Sequence, residues 1–325
     1  VSCIDNKVLQ IINQKLEALS MAMIHGYWNI RGYAQPIRLL LAHAGAEYED
    51  KRYNYGSTPE TLRSECTHSQ SDYFLPKLVL NTKTRDTILD QLPILGQRND
   101  YRAKPTNMVL ILGNWRIRGY AQPIRLLLAH ACAQYEDKRY DFGPTPDTWT
   151  TEWLKEKFNL GLDFPNLPYL FDGDVKMTQS IAILRYLGRK FKLVPSNERE
   201  GARVYMLEQE ILDWRTQQSE LFYNSNFESS KGAYIEGLKG KVKSLSTFLG
   251  NNDFFSGGGL TYVDFLVYEW LDVNRLFYPE LLNGIDNLEN FQKRIESLPN
   301  IADYIKSEKF IKFPLNGIMA EWGGK

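Results

Sequence analysis

Two positions in this chain occupy the same local frame and carry different chemistry. Tyr27 and Asn114 each stand between a glycine and a tryptophan, in Gly26-Tyr27-Trp28 and Gly113-Asn114-Trp115. A tyrosine hydroxyl and an asparagine amide can both donate a hydrogen bond to an anion, but the amide is shorter and oriented differently. Further on, Gln179-Ser180 stands where a helical pattern begins. The free N–H groups and positive dipole end of a helix suit such a place to a carboxylate, and a plain N-cap serine would have the same sequence. Cys3, Cys66 and Cys132 lie far apart without a C-x-x-C, and the four histidines are scattered. A disulfide framework and a metal centre are therefore not expected, and a reducing, cytoplasmic location fits.

These two frames belong to a long internal repeat. Gly26 to Tyr53 recurs as Gly113 to Tyr140, and over 28 positions only four differ: Tyr27/Asn114, Asn29/Arg116, Gly45/Cys132 and Glu47/Gln134. Weaker similarity runs through Gly56/Gly143, Thr58/Thr145, Pro59/Pro146 and Glu65/Glu152, with no counterpart expected between 67–107 and the segment from 154 to 190. Two repeats are too few for a solenoid. A tandem partial duplication and a translation joining two alternative first exons both explain the pattern. The incompleteness of the unit favours the second, because a strand-helix-strand piece is not expected to close a sheet alone.

The elements that must position these residues can be read around the second copy. An apolar strand over 108–113, a helix from Pro123 to near Ala133 and a strand over Tyr135–Tyr140 come first. A short helix over 153–158, a strand over 167–171, the turn Asp172-Gly173-Asp174, a strand over 175–177 and a helix over 180–190 follow. This order predicts an α/β domain over 108–190. Residues 197–325 carry long helical patterns and read as an all-α domain, with Thr261 and Asp264 as a capping pair. Residues 1–22 form an extension, 23–66 the partial duplicate, and 67–107 a polar linker. Among 325 residues, 39 Lys and Arg balance 39 Asp and Glu, so the basic surplus that non-specific nucleic-acid binding needs is missing. No apolar run is long enough to span a bilayer.

Gly113-x-Trp-x-Ile-Arg-Gly-x-x-x-Pro-Ile-Arg-Leu-Leu-Leu, the run from Asn159 to Gly173, Met177-Thr-Gln-Ser180 and the run from Ser256 to Phe265 together resemble mu-class cytosolic glutathione transferases. The arthropod, mite-like members are the nearest in pattern. The resemblance covers 108–325, and 23–65 a second time. It implies a thioredoxin-like domain followed by an all-α domain, a homodimer, and conjugation of glutathione to hydrophobic electrophiles in detoxification. Glutathione would be a co-substrate, with no cofactor. The resemblance places the γ-glutamyl carboxylate at Gln179 and Ser180. It implies a cis bond at Leu167-Pro168 that would expose the Leu167 backbone to the cysteinyl unit. Trp115, Trp153, Lys157 and Asn166 match further glutathione contacts, Asp213 a residue reaching the ammonium across the dimer, and Tyr223 a hydroxyl near the electrophile. Read alone, Lys157 would be solvated surface, Asp213 a helix-surface acid and Tyr223 core or rim.

Two departures stand out. The thiol-activating tyrosine of the family falls on Asn114, and a carboxylate-binding arginine falls on Thr150, whereas the first copy keeps Tyr27 and Arg63. Losing a hydrogen bond to a charged group costs roughly 1.5–3 kcal/mol, about one to two pKa units, so Asn114 predicts weaker thiol activation. Only one unit fits the remaining sheet. The shorter connection predicts that the second copy docks, leaving Leu39-Leu40-Leu41 as an exposed apolar face. A non-catalytic glutathione or hydrophobic-ligand binder, and an interaction module whose first copy docks on another chain, are the competing functions.

Overall fold

The computed structural model describes residues 23–53, 77–79 and 110–324. The expected extension 1–22, Arg63, Cys3 and Cys66 lie outside the described residues. The chain divides into two units, Val1–Tyr101 and Arg102–Lys325.

In the first unit, β1 (Met23–Trp28), α1 (Ala34–His43) and β2 (Tyr48–Tyr53) form the strand-helix-strand piece, and β3 (Lys77–Val79) joins it. The sheet order is β2-β1-β3, with β1 parallel to β2 and antiparallel to β3. This corrects two expectations: the duplicate does build a sheet, and a strand lies in the segment read as a linker. The reason is visible in the register. Lys77, Leu78 and Val79 pair with Gly26, His25 and Ile24. In the second unit, Tyr169, Leu170 and Phe171 pair with Gly113, Leu112 and Ile111. Leu75-Pro76 precedes β3 in the sequence as Leu167-Pro168 precedes its counterpart. The repeat therefore extends past Glu65, at a changed spacing that a fixed offset does not reveal.

The second unit begins with β4 (Leu110–Trp115), a 3-10 turn at Gly119–Ala121, α2 (Gln122–His130) and β5 (Tyr135–Tyr140). Then come α3 (Thr151–Glu156), β6 (Tyr169–Asp172), β7 (Val175–Thr178) and α4 (Ser180–Lys190). The sheet order is β5-β4-β6-β7, so the second copy is the one that docks onto the hairpin. Gly113 is required there: a Cβ would sit 2.1 Å from the Tyr169 ring, while at Gly26 the nearest atom would be 3.5 Å away. Five helices follow: α5 (Glu198–Phe222), α6 (Phe227–Leu249), α7 (Tyr262–Phe277), α8 (Asp286–Ser297) and α9 (Pro299–Lys306). Helix α7 is buried from Tyr262 to Asn274, with the polar Asp264, Glu269, Asp272 and Asn274 buried among its apolar residues. Its start is fixed by Asp264, whose carboxylate accepts from the Thr261 N–H at 2.8 Å and the Phe255 N–H at 2.9 Å. Helix α2 packs on α4, α7 and α9, which brings the α/β and all-α parts into one core.

The same helix sequence meets two fates. Leu126, Leu127 and Leu128 are fully buried, whereas Leu39 and Leu40 are 60% and 66% exposed. Leu41, expected on the exposed face, is instead buried. Burial here is set by the neighbour available, not by the segment. His25 takes the place of Leu112 and is buried with neither ring nitrogen hydrogen-bonded. Desolvation, aided by Arg38 and opposed by Asp50, lowers its pKa from the ordinary value of 6.5. The neutral form is thus favoured in the folded unit. Its contribution is present above the unfolded pKa and is lost as pH falls through it. His25→Leu should stabilise the first unit by about 1 kcal/mol. Hydrogen exchange over residues 23–53 should show protection that weakens between about pH 7.5 and about pH 5.5 in the parent chain and not in the variant.

Candidate active site

Strand β4 ends on Asn114 and Trp115, and the chain then turns through Ile117, Arg118 and Gly119 into α2. Arg118 holds this turn against the helical domain. Its Nε donates to Glu269 at 3.0 Å and its Nη2 to Glu269 at 2.5 Å and Asp272 at 2.7 Å, with Arg118 and Glu269 both buried. Burial opposes the charge on Arg118, but the two carboxylates more than offset it and hold its pKa above the ordinary value. Burial lifts the Glu269 pKa despite Arg118. The C-terminal segment closes the other side of the turn. Arg118 and Gly119 donate their backbone N–H groups to Pro314 and Leu315, both at 3.0 Å.

A cavity of about 210 Å³ opens beside the turn. Four sequence-predicted residues line it: Asn114, Trp115, Leu167 and Tyr223. Asn114 is 3% exposed and its amide nitrogen has no hydrogen-bond partner. The Tyr223 hydroxyl accepts from the Gly317 N–H at 2.7 Å. Burial raises the Tyr223 pKa, against that hydrogen bond. The Leu167–Pro168 peptide is cis. The Leu167 N–H donates to the Asn166 Oδ1 at 2.9 Å, so the expected free backbone donor is held by its neighbour's side chain.

The remaining predicted residues do not line this cavity. Trp153 is buried and packs with Tyr140 and Tyr169, in an aromatic cluster that Trp115 and Leu167 border. Lys157 follows α3, its ammonium 5.2 Å from the centre of the Phe158 ring. Thr150, at the arginine position, is the N-cap of α3 and makes no side-chain cap bond. Ser180 is the first residue of α4, and the capping position belongs to Gln179, again without a side-chain cap bond. A serine N-cap is therefore not what the structure contains. Gln179 has φ +73°, a region that favours glycine and costs a non-glycine residue about 1–3 kcal/mol. Asp213 lies exposed on α5, where partial desolvation raises its carboxyl pKa. Tyr27 sits buried in β1 of the first unit, its ring against Gly32.

Sequence reading missed the helical wall of the cavity, where Arg215, Gln218 and Trp270 stand. Arg215 donates to the Gly119 carbonyl at 2.9 Å and lies over the Tyr120 ring at 4.6 Å. Burial lowers its pKa, with Tyr120 and Glu269 opposing. Each of these is one residue in a long helix with no local motif, so only the tertiary placement gathers them. Among the described residues, no group of three or more His, Cys, Asp or Glu could hold a metal ion. No helix there is long and apolar enough to cross a membrane.

Comparison with known proteins agrees with this architecture. Residues 108–189 match the family model "Glutathione S-transferase, N-terminal domain", and 212–308 match "Glutathione S-transferase, C-terminal domain". Glutathione S-transferase Mu 2 of Rattus norvegicus is 50% identical over 218 residues, 67% of this chain and 100% of the relative. A glutathione S-transferase of Tyrophagus putrescentiae is 50% identical over 215 residues, 66% of this chain and 97% of the relative. The crystal structure of the glutathione S-transferase Blo t 8 superposes with a TM-score of 0.61 at 37% identity, covering 66% of this chain and 99% of that one.

The buried ion cluster makes a direct stability prediction. Arg118→Met should cost about 3–5 kcal/mol in urea denaturation, because Glu269 is left buried without its partner. Adding Glu269→Leu should recover part of that loss, since the unpaired charge is then removed as well. A loss below about 1 kcal/mol in the single variant would contradict this role for the pair.

Proposed function

Because the chain belongs to the glutathione S-transferase family, with mu-class members among its relatives, we propose that it conjugates reduced glutathione to hydrophobic electrophiles. The observation that carries this reading is the cavity at the end of β4, where the Asn114 amide, the Tyr223 side chain and Leu167 of the cis peptide border one space. A role in detoxification, a cytoplasmic site of action and a homodimer belong to the same proposal.

Glutathione has charged ends and a thiol, and the residues divide the work accordingly. The N-terminus of α4 supplies N–H groups and a positive dipole end for the γ-glutamyl carboxylate. The left-handed backbone of Gln179 supports this assignment, because such strain persists where the fold over-determines it and clusters at binding sites. Lys157 neutralises the glycine carboxylate. The Leu167 backbone pairs with the cysteinyl unit once the Asn166 side chain turns away. Trp115 lines the wall, and the buried Trp153 packs behind it through Tyr140. Asp213, exposed on α5, reaches the ammonium of glutathione held by the other subunit of the dimer.

At the sulfur, the task is ionisation. A free thiol with a pKa of about 8.5 is mostly protonated at neutral pH, and the thiolate is the nucleophile. The Asn114 Nδ2 donates to the sulfur in place of a tyrosine hydroxyl. The thiolate pair then forms the new C–S bond, and the leaving group departs with the bonding pair. The Tyr223 hydroxyl serves where negative charge develops on the electrophile. Tyr27 would act at sulfur only if the first unit took the place of the second.

Asn114→Tyr should raise kcat/KM for a chloro-dinitroaromatic electrophile by roughly ten- to a hundredfold, the size expected for one hydrogen bond to a charged sulfur. Retention of the parent chain on immobilised glutathione should accompany it. Failure to bind glutathione, with no conjugation in either form, would sink the proposed activity.

A further inference from the structure

Helix α1 repeats α2 letter for letter from Gln35 to His43, yet the two are covered differently. In α2 every residue from Gln122 to Leu128 is buried, and the helix packs on α4, α7 and α9. In α1 only Ala34 and Leu41 are buried. Leu39 and Leu40 are exposed, as are Ile30 and Tyr33 in the turn before them. Among the described residues of the first unit, no second helix stands beside α1 as α4 stands beside α2. The sequence ahead of β1 carries a candidate for that place. Residues 1–22 lie outside the described residues but belong to the same unit, Val1–Tyr101. Within them Leu9, Ile12, Leu16 and Leu19 recur at the spacing of one helical face, with Val8 beside them and Gln10, Gln14 and Glu17 opposite. Residues 8–19 contain no Gly or Pro to interrupt a helix.

We propose that the stretch from Val8 to Leu19 docks as a helix on the Leu39–Leu40 face of α1, in the place that α4 takes beside α2. The surplus copy is then closed by its own chain, independently of the activity proposed above. The connectivity suits this place. Strand β7 runs parallel to β4, because each is antiparallel to β6. Helix α4 follows β7 and returns across the sheet, so it ends where β4 begins. A helix placed likewise beside α1 ends where β1 begins. Only Ser20, Met21 and Ala22 separate Leu19 from Met23, the first residue of β1. Helix-to-strand connections of about 2–6 residues are the usual length. A helix this short is marginal by itself in water, so its stripe needs an apolar surface to form on. Two surfaces compete: α1 of the same chain, and the same stripe of a second copy. A coiled coil between copies asks for roughly three to four heptads, which residues 8–19 do not reach. The short connection also gives α1 a high effective concentration. The geometry therefore favours the chain's own helix, and the apolar face ceases to be an aggregation liability.

Thiol labelling of the full chain tests this. Cys3→Ser, Cys66→Ser and Cys132→Gly clear the background, the last giving position 132 the residue that Gly45 holds in the first copy. Leu40→Cys in that chain should react with a maleimide at least about tenfold more slowly than it does in urea. The protection should not depend on protein concentration. It should disappear when Ile12→Asp and Leu16→Asp are added, and survive Gln14→Glu on the opposite face. A second readout does not rely on the charged variant staying folded. A short bismaleimide should join Leu16→Cys to Leu40→Cys within one chain, and should not join Gln14→Cys to Leu40→Cys. Full reactivity of Leu40→Cys in the otherwise uncharged chain overturns the inference. So does protection that survives the two aspartates, and protection that grows with concentration, with cross-links only between chains, assigns the face to a second copy instead. Equal cross-linking from positions 14 and 16 also overturns it, because the stretch then has no fixed face on α1.

Discussion

The contact on which the rest depends is the buried cluster of Arg118, Glu269 and Asp272. It joins the turn after β4 to the middle of α7, which is buried from Tyr262 to Asn274. Removing an arginine from water between two acids is costly, and it is stable only when the geometry is met in full. Once it is met, everything near the turn is fixed with it. Asn114 stands four residues before Arg118, Gly119 accepts from Arg215, and the C-terminal segment pairs with the same two backbone amides. The cavity is thus a by-product of one electrostatic lock. The chain contains one α7 and two arginines in equivalent frames, Arg31 and Arg118. One seat can be filled, and Arg118 fills it while Arg31 is exposed.

Much of this architecture was legible because it is written in periodicity and punctuation. Strand β5 and helix α4 fall where the alternation and the stop signals put them, and Asp264 binds back to Thr261 as its spacing suggests. The first unit was harder to read for a physical reason. Its third strand is short, and it is recognisable only through the register that β1 imposes. The expectation that a strand-helix-strand piece stays open failed because a three-residue strand pairs with Ile24, His25 and Gly26 on the other edge of β1. Leu41 was misjudged in the same way: a local sequence does not say which side of a helix is covered.

The site was legible in part, and the division is instructive. Residues carried by long motifs, such as Asn114, Leu167 and Pro168, could be located because the motif holds its own geometry. Gln218 and Trp270 have no such context, and a glutamine inside a long helix announces nothing until its partners are counted. Strain was also invisible: nothing in the letters of Gln179 shows a left-handed backbone. The reverse error is equally present. The repeated helix sequence is exposed at Leu39 and Leu40 and buried at Leu126 and Leu127, so identity of sequence does not carry identity of role. Asn114 stands where the first copy has Tyr27, and the strand register around the two positions is the same.

The central claim is that the second copy, and with it Asn114, occupies the thiol site. Ultraviolet titration of the thiolate of bound glutathione tests it most directly, because the absorbance reports ionisation at the sulfur itself. Tyr27→Phe should leave the bound thiol's titration in the intact chain where it was, while replacing Asn114 by alanine should shift it to higher pH. A shift on Tyr27→Phe, with none at position 114, would contradict it and put the first copy in the site.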